Sequence, residues 1–395
     1  MKMIDEQMKY YVDNKELSGV SWVVRKDGQL LTHGVEGYSN LEEHSMLDDN
    51  SIFRLMSMTK PVISVAVLQL MEEGKLSLED PVCKYVPQFK GLKVCADAKY
   101  ADTPKNPAEL FWKMVTYRFR NIKLEDEVRP FTIRDLLSHS SGLGQGFVGL
   151  IEFLTARGID ETLDQRIDRF SKYTLGFQPG TGTGYSPVAG FDTLGYIISK
   201  IADMSIEDYI HTNICAPLNM TDTTFFLKEE QKNRLVALYK KKGNVLKNVT
   251  NSKEDMYGFT HQKPMSFEEG CCGLYSTLSD YDRFAQMLCA GGTYNGNRIL
   301  KQETVEMMSR EGSVCHLEPE PGNVWGLGVK IRQNPETANS SLSKGSYGWS
   351  GAYGTHFFVD PLQKISAVLM TNRTDLGGSD SYVSKKFEDL IYQTI

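Results

Sequence analysis

Residues 53–60, Phe53-Arg54-Leu55-Met56-Ser57-Met58-Thr59-Lys60, run into PVISVAVLQLMEEGK at 61–75, and this stretch decides how the rest of the chain is read. Residues 61–73 form an apolar helical run, and Gly74 stops it as a C-cap glycine does. Ser57 and Lys60 lie three apart at the opening of that helix, so their side chains share a face and can hydrogen-bond. A serine hydroxyl is a poor nucleophile at neutral pH and needs a base. A lysine serves if its ammonium is desolvated and its pKa falls. The positive end of the helix and its free N–H groups favour the negative charge that develops when a carbonyl is attacked. Ser57 is therefore the candidate nucleophile of an acyl-enzyme hydrolase or acyltransferase. Alone, Ser-x-x-Lys is weak, because two common residues at this spacing are more often a solvated surface pair.

Upstream, Ile4, Met8, Tyr11 and Val12 recur at helical spacing over residues 3–14, a one-faced stripe suited to packing on a sheet. Residues 20–25 and 30–35 are β-rich and flank the turn Lys26-Asp27-Gly28, which reads as a hairpin. Downstream, residues 85–270 read as mostly helical, with segments at 133–137, 160–173, 191–202 and 206–212 separated by Gly- and Pro-rich turns. Strand patterns return at 325–331, 355–360 and 365–371, followed by a closing helix over 382–392. The fold class is α+β. One antiparallel sheet is built from both chain ends (1–84 and 271–395) and flanked by helices, with a mainly helical domain (85–270) inserted and the active site in the cleft between them.

Of the 395 residues 41% are hydrophobic and 24% charged, enough apolar material for one large core or two linked ones. A net charge of -6 gives no basic excess, which argues against nucleic-acid or anionic-membrane partners and for a small-molecule one. The first 17 residues mix charges of both signs and lack the apolar core of a signal peptide or anchor, so the expected location is the cytoplasm. Seven cysteines without repeating spacing fit free thiols. The adjacent Cys271 and Cys272 can be redox-active or metal-binding, although ordinary buried thiols are the commoner case. No zinc spacing appears, and oligomeric state is not legible.

The surroundings of Ser57 and the order of later motifs resemble the serine β-lactamase and penicillin-binding family over nearly the whole chain. After Ser57 and Lys60 come LMEEGKLSLEDP at 70–81, TIRDLLSHSSGL at 132–143, Pro179-Gly180 to Tyr185-Ser186, Leu194-Gly195-Tyr196 and APLNMTDT at 216–223. The resemblance implies a DD-peptidase/β-lactamase-like fold. Tyr185 would then act with Lys60 as general base toward Ser57 and later as acid toward the leaving group. The family's Tyr-x-Asn is here Tyr185-Ser186-Pro187. The absent amide would help position a substrate acyl side chain or the lysine, and Pro187 can do neither.

The family's third motif, Lys-Thr-Gly or His-x-Gly, corresponds to Trp349-Ser350-Gly351, expected to bind substrate. Trp349 cannot supply the cation that holds a carboxylate, but it offers an apolar wall for an uncharged acyl or alcohol group. Similar versions occur in family VIII carboxylesterases and related acyltransferases. By position, the backbone N–H groups of Ser57 and Ala352 complete an oxyanion hole. His139 reads as structural rather than as a catalytic partner, and His356 as a cleft-lining or strand-capping residue. Residues 176–184 lack the ending of a phosphate loop and read as the turn presenting Tyr185. Phe111, Trp112, Tyr117 and Phe119 in the 85–130 segment are candidates to cover the cleft.

The resulting expectation is a serine hydrolase acting on small acyl esters, without metal or organic cofactor. An acyltransferase or a D-amino-acid amidase or peptidase using the same site is the alternative. Penicillin hydrolysis, cell-wall carboxypeptidase work and an inactive binding homologue are disfavoured.

Overall fold

Asp27 and Gly28 both adopt left-handed backbone angles (φ 50° and 74°), as the central residues of a tight primed turn must, and they join the strands Gly19–Lys26 and Gln29–Asn40. In the computed structural model, which describes residues 2–101, 104, 106–118, 122–155, 161–252, 267–313 and 318–395, this hairpin is one flank of an eight-stranded sheet. The strand order is Asn323–Trp325, Lys330–Arg332, Tyr347–Ser350, His356–Asp360, Ile365–Thr371, Gly19–Lys26, Gln29–Asn40 and Ser45–Met46, and every neighbouring pair is antiparallel. The first and last long strands pair directly, Val20 opposite Thr371 and Lys26 opposite Ile365, so the chain ends meet inside the sheet.

Both faces of the sheet are covered, and the two-residue alternation of the strands sorts their side chains between two apolar layers. Trp22, Val24, Phe358, Ile365, Ala367 and Leu369 face the helices Lys2–Asp13 and Tyr382–Thr394. Val23, Phe357, Val359, Val368 and Met370 face the larger cluster on the other side, where helix Leu278–Cys289 packs on the sheet. The helix Thr59–Glu72 belongs to that larger cluster and is buried all round: Val62, Ile63, Val65, Ala66, Val67, Leu68 and Leu70 have no exposed surface. Burying such side chains contributes about 1.5–3 kcal/mol each. The helix packs against Ala189–Ala202 and Ile206–Ile210, so one continuous apolar cluster joins the helical section to the sheet section. No helix among the described residues is long and apolar enough to cross a membrane.

The run expected as one strand over 325–331 is instead a hairpin, Asn323–Trp325 and Lys330–Arg332 joined through Gly326 and Gly328. Gly328 has φ +81°, and a Cβ there would sit 1.8 Å from Ser64 Oγ, so the turn tip presses on the central helix where only glycine fits. The helix expected over 160–173 spans Leu163–Phe170; Asp160 lies outside the described residues. Gly74 (φ 72°) ends the central helix, with its neighbour Lys75 donating back to Leu70 O at 2.9 Å.

Candidate active site

Ser57 sits in a single 3-10 turn, Met56–Met58, immediately before the central helix, and the turn packs on the strand Tyr347–Ser350. Two features aim it. Met56 has φ +51°, a left-handed conformation costly for a non-glycine residue and one that bends the chain sharply into Ser57. The preceding Leu55 is clamped on both sides: its amide donates to Leu274 O at 2.9 Å, and its carbonyl accepts from Thr355 Oγ1 at 3.1 Å. A Cβ on Gly351 would lie 2.2 Å from that same carbonyl, so glycine is required where the third motif crosses the serine's entry segment.

Lys60, in the first turn of the helix, is fully buried. Its ammonium lies 2.8 Å from Pro187 O, 2.9 Å from Cys271 O and 3.4 Å from Ser57 Oγ. Pro187, expected to do nothing for the lysine, therefore holds it through its carbonyl, a group no side-chain substitution removes. Burial by itself pulls the Lys60 pKa down, but the negative charge that Tyr185 and then Cys271 can carry outweighs it, and the net direction is upward. Desolvation is present, yet the expected fall in pKa does not follow, so Lys60 is held as a cation.

The Tyr185 hydroxyl donates to Ser57 Oγ at 2.6 Å. Its ring lies near-parallel to Trp325 (centroids 6.0 Å apart, 18° between planes) and contacts Trp349 at 5.2 Å and His139 at 5.0 Å. Trp325 and Trp349 meet edge to face at 4.7 Å, so the three rings form one aromatic wall beside Ser57. Trp325 was missed in the sequence because the run containing it reads as strand interior. The glycines at 326 and 328 were the available sign that this strand stops and turns at the tryptophan.

His139 is buried and left-handed (φ 53°), and it pins the loop carrying Tyr185. Its Nδ1 accepts from Ser186 N at 3.1 Å, and its carbonyl accepts from Gly184 N at 3.2 Å and Gln145 Nε2 at 2.7 Å. Burial, and then the Lys60 charge, push its pKa well below the ordinary histidine value. His139 is therefore a neutral acceptor that orients the residue after Tyr185.

The Ala352 amide donates to no group among the described residues, in a turn closed by Gly354 N to Gly351 O at 3.0 Å. The Ala352 side chain packs against the small cluster that contains Met56, the residue before Ser57. Trp349 faces this side of the sheet. Ser350 alternates to the other face and its hydroxyl is 2.7 Å from His356 Nδ1, while Glu388 Oε1 lies 3.0 Å from His356 Nε2. Ser350, expected to bind substrate, thus has its hydroxyl engaged by His356 of the neighbouring strand, with Glu388 of helix Tyr382–Thr394 on the far side of the same imidazole. These three buried residues form a Ser-His-Glu row that lines one cavity together with Trp349 and Lys330.

The aromatic residues expected over the cleft divide. Phe111 and Trp112 point into solvent (61% and 64% exposed). Tyr117 joins Tyr100 and Phe147 in a separate cluster, and Phe119 lies outside the described residues.

A sheet knitted from both chain ends, with a serine at the mouth of a buried helix and a lysine and tyrosine converging on it, defines a scaffold of the serine β-lactamase and penicillin-binding type. The family model described as Beta-lactamase matches residues 2–385, and the chain belongs to that family, whose members are generally serine hydrolases. An uncharacterised Mycobacterium tuberculosis protein is 30% identical over 359 residues, covering 87% of this chain and 83% of the relative. Esterase EstB of Burkholderia gladioli is 24% identical over 402 residues, covering 96% and 91%. Among solved structures, EstCE1, a hydrolase with promiscuous acyltransferase activity, superposes with a TM-score of 0.79 at 21% identity, covering 99% of this chain and 98% of its own. The shared fold extends over the whole molecule.

Proposed function

We propose that this protein is a carboxylesterase that cleaves small, uncharged acyl esters through an acyl-enzyme on Ser57. The observation that carries the proposal is the 2.6 Å contact between Tyr185 OH and Ser57 Oγ beside a buried lysine whose other contacts are backbone carbonyls. In the first step Tyr185, acting with Lys60 as the base system, takes the Ser57 proton as Oγ attacks the ester carbonyl. The amides of Ser57 and Ala352 receive the developing oxyanion. Tyr185 returns the proton to the departing alcohol, and water then repeats the sequence to release the acid.

Substrate class follows from what surrounds the serine. Trp349 and Trp325 offer apolar ring surface and no charge. The cation beside the tryptophans, Lys330, 5.8 Å from the Trp349 ring, is already engaged by Glu320 and Asp380. A substrate carboxylate thus has no free partner among these groups, which disfavours penicillins and D-alanine-terminated peptides. The esterase named among the relatives supports the same reading. Ser57→Ala should abolish hydrolysis of p-nitrophenyl acetate and butyrate, and wild type should show an acyl adduct on Ser57 by intact mass. Unchanged turnover by the alanine variant would sink the assignment. Adding an alcohol during turnover and assaying for a new ester measures how far transfer competes with hydrolysis.

A further inference from the structure

The thiols of Cys271 and Cys272 have no part in the hydrolytic reading, yet they lie close to it. Their sulfurs are 3.2 Å apart, and both are free thiols. The Cys271 carbonyl holds Lys60, and its amide donates to Asp192 Oδ1 at 2.9 Å. Asp192 is in turn fixed by Arg166 at 2.8 Å within a buried ion cluster that includes Glu269 and Glu161. Cys272 is half-buried and, like Ala352, packs against the small apolar cluster that contains Met56, the residue before Ser57. Among the described residues no three His, Cys, Asp or Glu side chains converge as a metal site, so the pair presents a two-sulfur chelate.

Burial, then the contact with Cys272, raises the Cys271 thiol well above its ordinary value. For Cys272 the contact with Cys271 lowers the pKa, but burial and the Glu269 and Asp192 charges outweigh it. Peroxides and disulfides react with thiolates, so protonated thiols are slow toward them. A reagent that condenses with two neighbouring thiols by expelling water needs no standing thiolate.

We propose that Cys271 and Cys272 form a chelation site for trivalent arsenicals of the organoarsine oxide class, R–As=O. Two As–S bonds form and the As=O bond is lost. The oxygen leaves with both thiol protons as one water, arsenic stays trivalent and no electrons are transferred. Cys272, the less buried residue of the pair, reacts first, and closure onto Cys271 is intramolecular at contact distance, hence strongly favoured. The closed ring places the organic group against the apolar cluster that contains Met56 and constrains the peptide whose carbonyl holds Lys60, so ester hydrolysis stops. Chelation stands on the thiol geometry alone; its effect on turnover rests on the hydrolase reading.

The test treats the whole purified protein with phenylarsine oxide and reads binding by intact mass and turnover with p-nitrophenyl butyrate. Wild type should retain one phenylarsenic group, with loss of one water, through desalting. Excess dithiothreitol should release it and restore activity, while an equal thiol concentration of mercaptoethanol should not. Cys271→Ala and Cys272→Ala should each weaken retention by about a hundredfold or more, the chelate advantage. Thermal unfolding checks that each variant is folded, and the dithiol-release measurement needs no variant. Absence of an adduct, or an adduct undiminished in both variants, overturns the site. An adduct at the pair with undiminished hydrolysis overturns the coupling to Lys60. The mass measurement decides the site even if the chain proves to hydrolyse no ester.

Discussion

Tyr185→Phe removes one oxygen from the proposed site and keeps nearly everything else. The ring contacts with Trp325, Trp349 and His139, and the Lys60 ammonium 5.0 Å from the ring centroid, all survive the change. Lys60 also keeps its two carbonyl partners, Pro187 and Cys271. What disappears is the 2.6 Å contact to Ser57 Oγ and, with it, the group proposed to move the proton in both half-reactions. A positioned general acid–base contributes roughly 10²–10⁴ in rate. At 1.36 kcal/mol per tenfold, the barrier should rise by about 3–5 kcal/mol. The stability term is smaller, about 1 kcal/mol for a net hydrogen bond, so the unfolding midpoint should move little. Steady-state kinetics with p-nitrophenyl butyrate should show kcat and kcat/KM falling together, because the lost interaction is made in the transition state. A folded Tyr185→Phe variant that stays within about tenfold of wild type would refute the role, since proton transfer of this kind is worth more than that. The base would then have to be Lys60, at its longer 3.4 Å approach.

Three further outcomes follow from the packing around the site. Folded His139 refuses a proton that the unfolded chain accepts near pH 6.5, so the unfolded state binds more protons below that value and stability falls as pH drops. Urea unfolding of wild type and His139→Asn, the asparagine tolerating the left-handed backbone, should give a stability difference that shrinks by about 1.4 kcal/mol per pH unit below pH 6.5; a pH-independent difference contradicts this. Arg166→Met strands the buried Asp192 and Glu269 carboxylates and should cost about 3–5 kcal/mol in the same assay, and a loss below about 1 kcal/mol would show the cluster to be inert. Gly328→Ala drives a methyl into Ser64 Oγ from a left-handed backbone position and should cost about 1–3 kcal/mol or more, read as a lowered thermal midpoint; an unchanged midpoint would mean the turn is not pressed on the helix.

Much of the fold was legible because its signals are local. The hairpin at Asp27-Gly28, the strand Ile365–Thr371 and the terminal helices each rest on a turn residue or a periodicity within a few residues of chain. The run at 325–331 was misread because its apolar content suits one strand, while the reason for its interruption, Ser64 on the central helix, is more than 250 residues earlier in the chain. The direction of the Ser350 side chain was not legible for a related reason. Its position in the motif is a matter of order, but which face of the sheet it occupies depends on register with His356 and on the helix bearing Glu388.

Ser57, Lys60, Tyr185 and Trp349 were singled out as candidates from residue type and motif order, and that is what sequence alone determined: which groups exist and roughly where the chain turns. Their protonation and aim were decided only by tertiary structure. Lys60 takes its acceptors from residues 127 and 211 positions away, and what they leave it is a buried cation rather than the lowered-pKa base its spacing suggested. Trp325 joins the wall because a glycine turn returns its strand beside Tyr185, and Cys271 matters to Lys60 through a backbone oxygen that every residue type carries. Periodicity and turn chemistry are written in neighbouring residues. Desolvation, partner charges and backbone acceptors are set by segments that meet only once the core has closed.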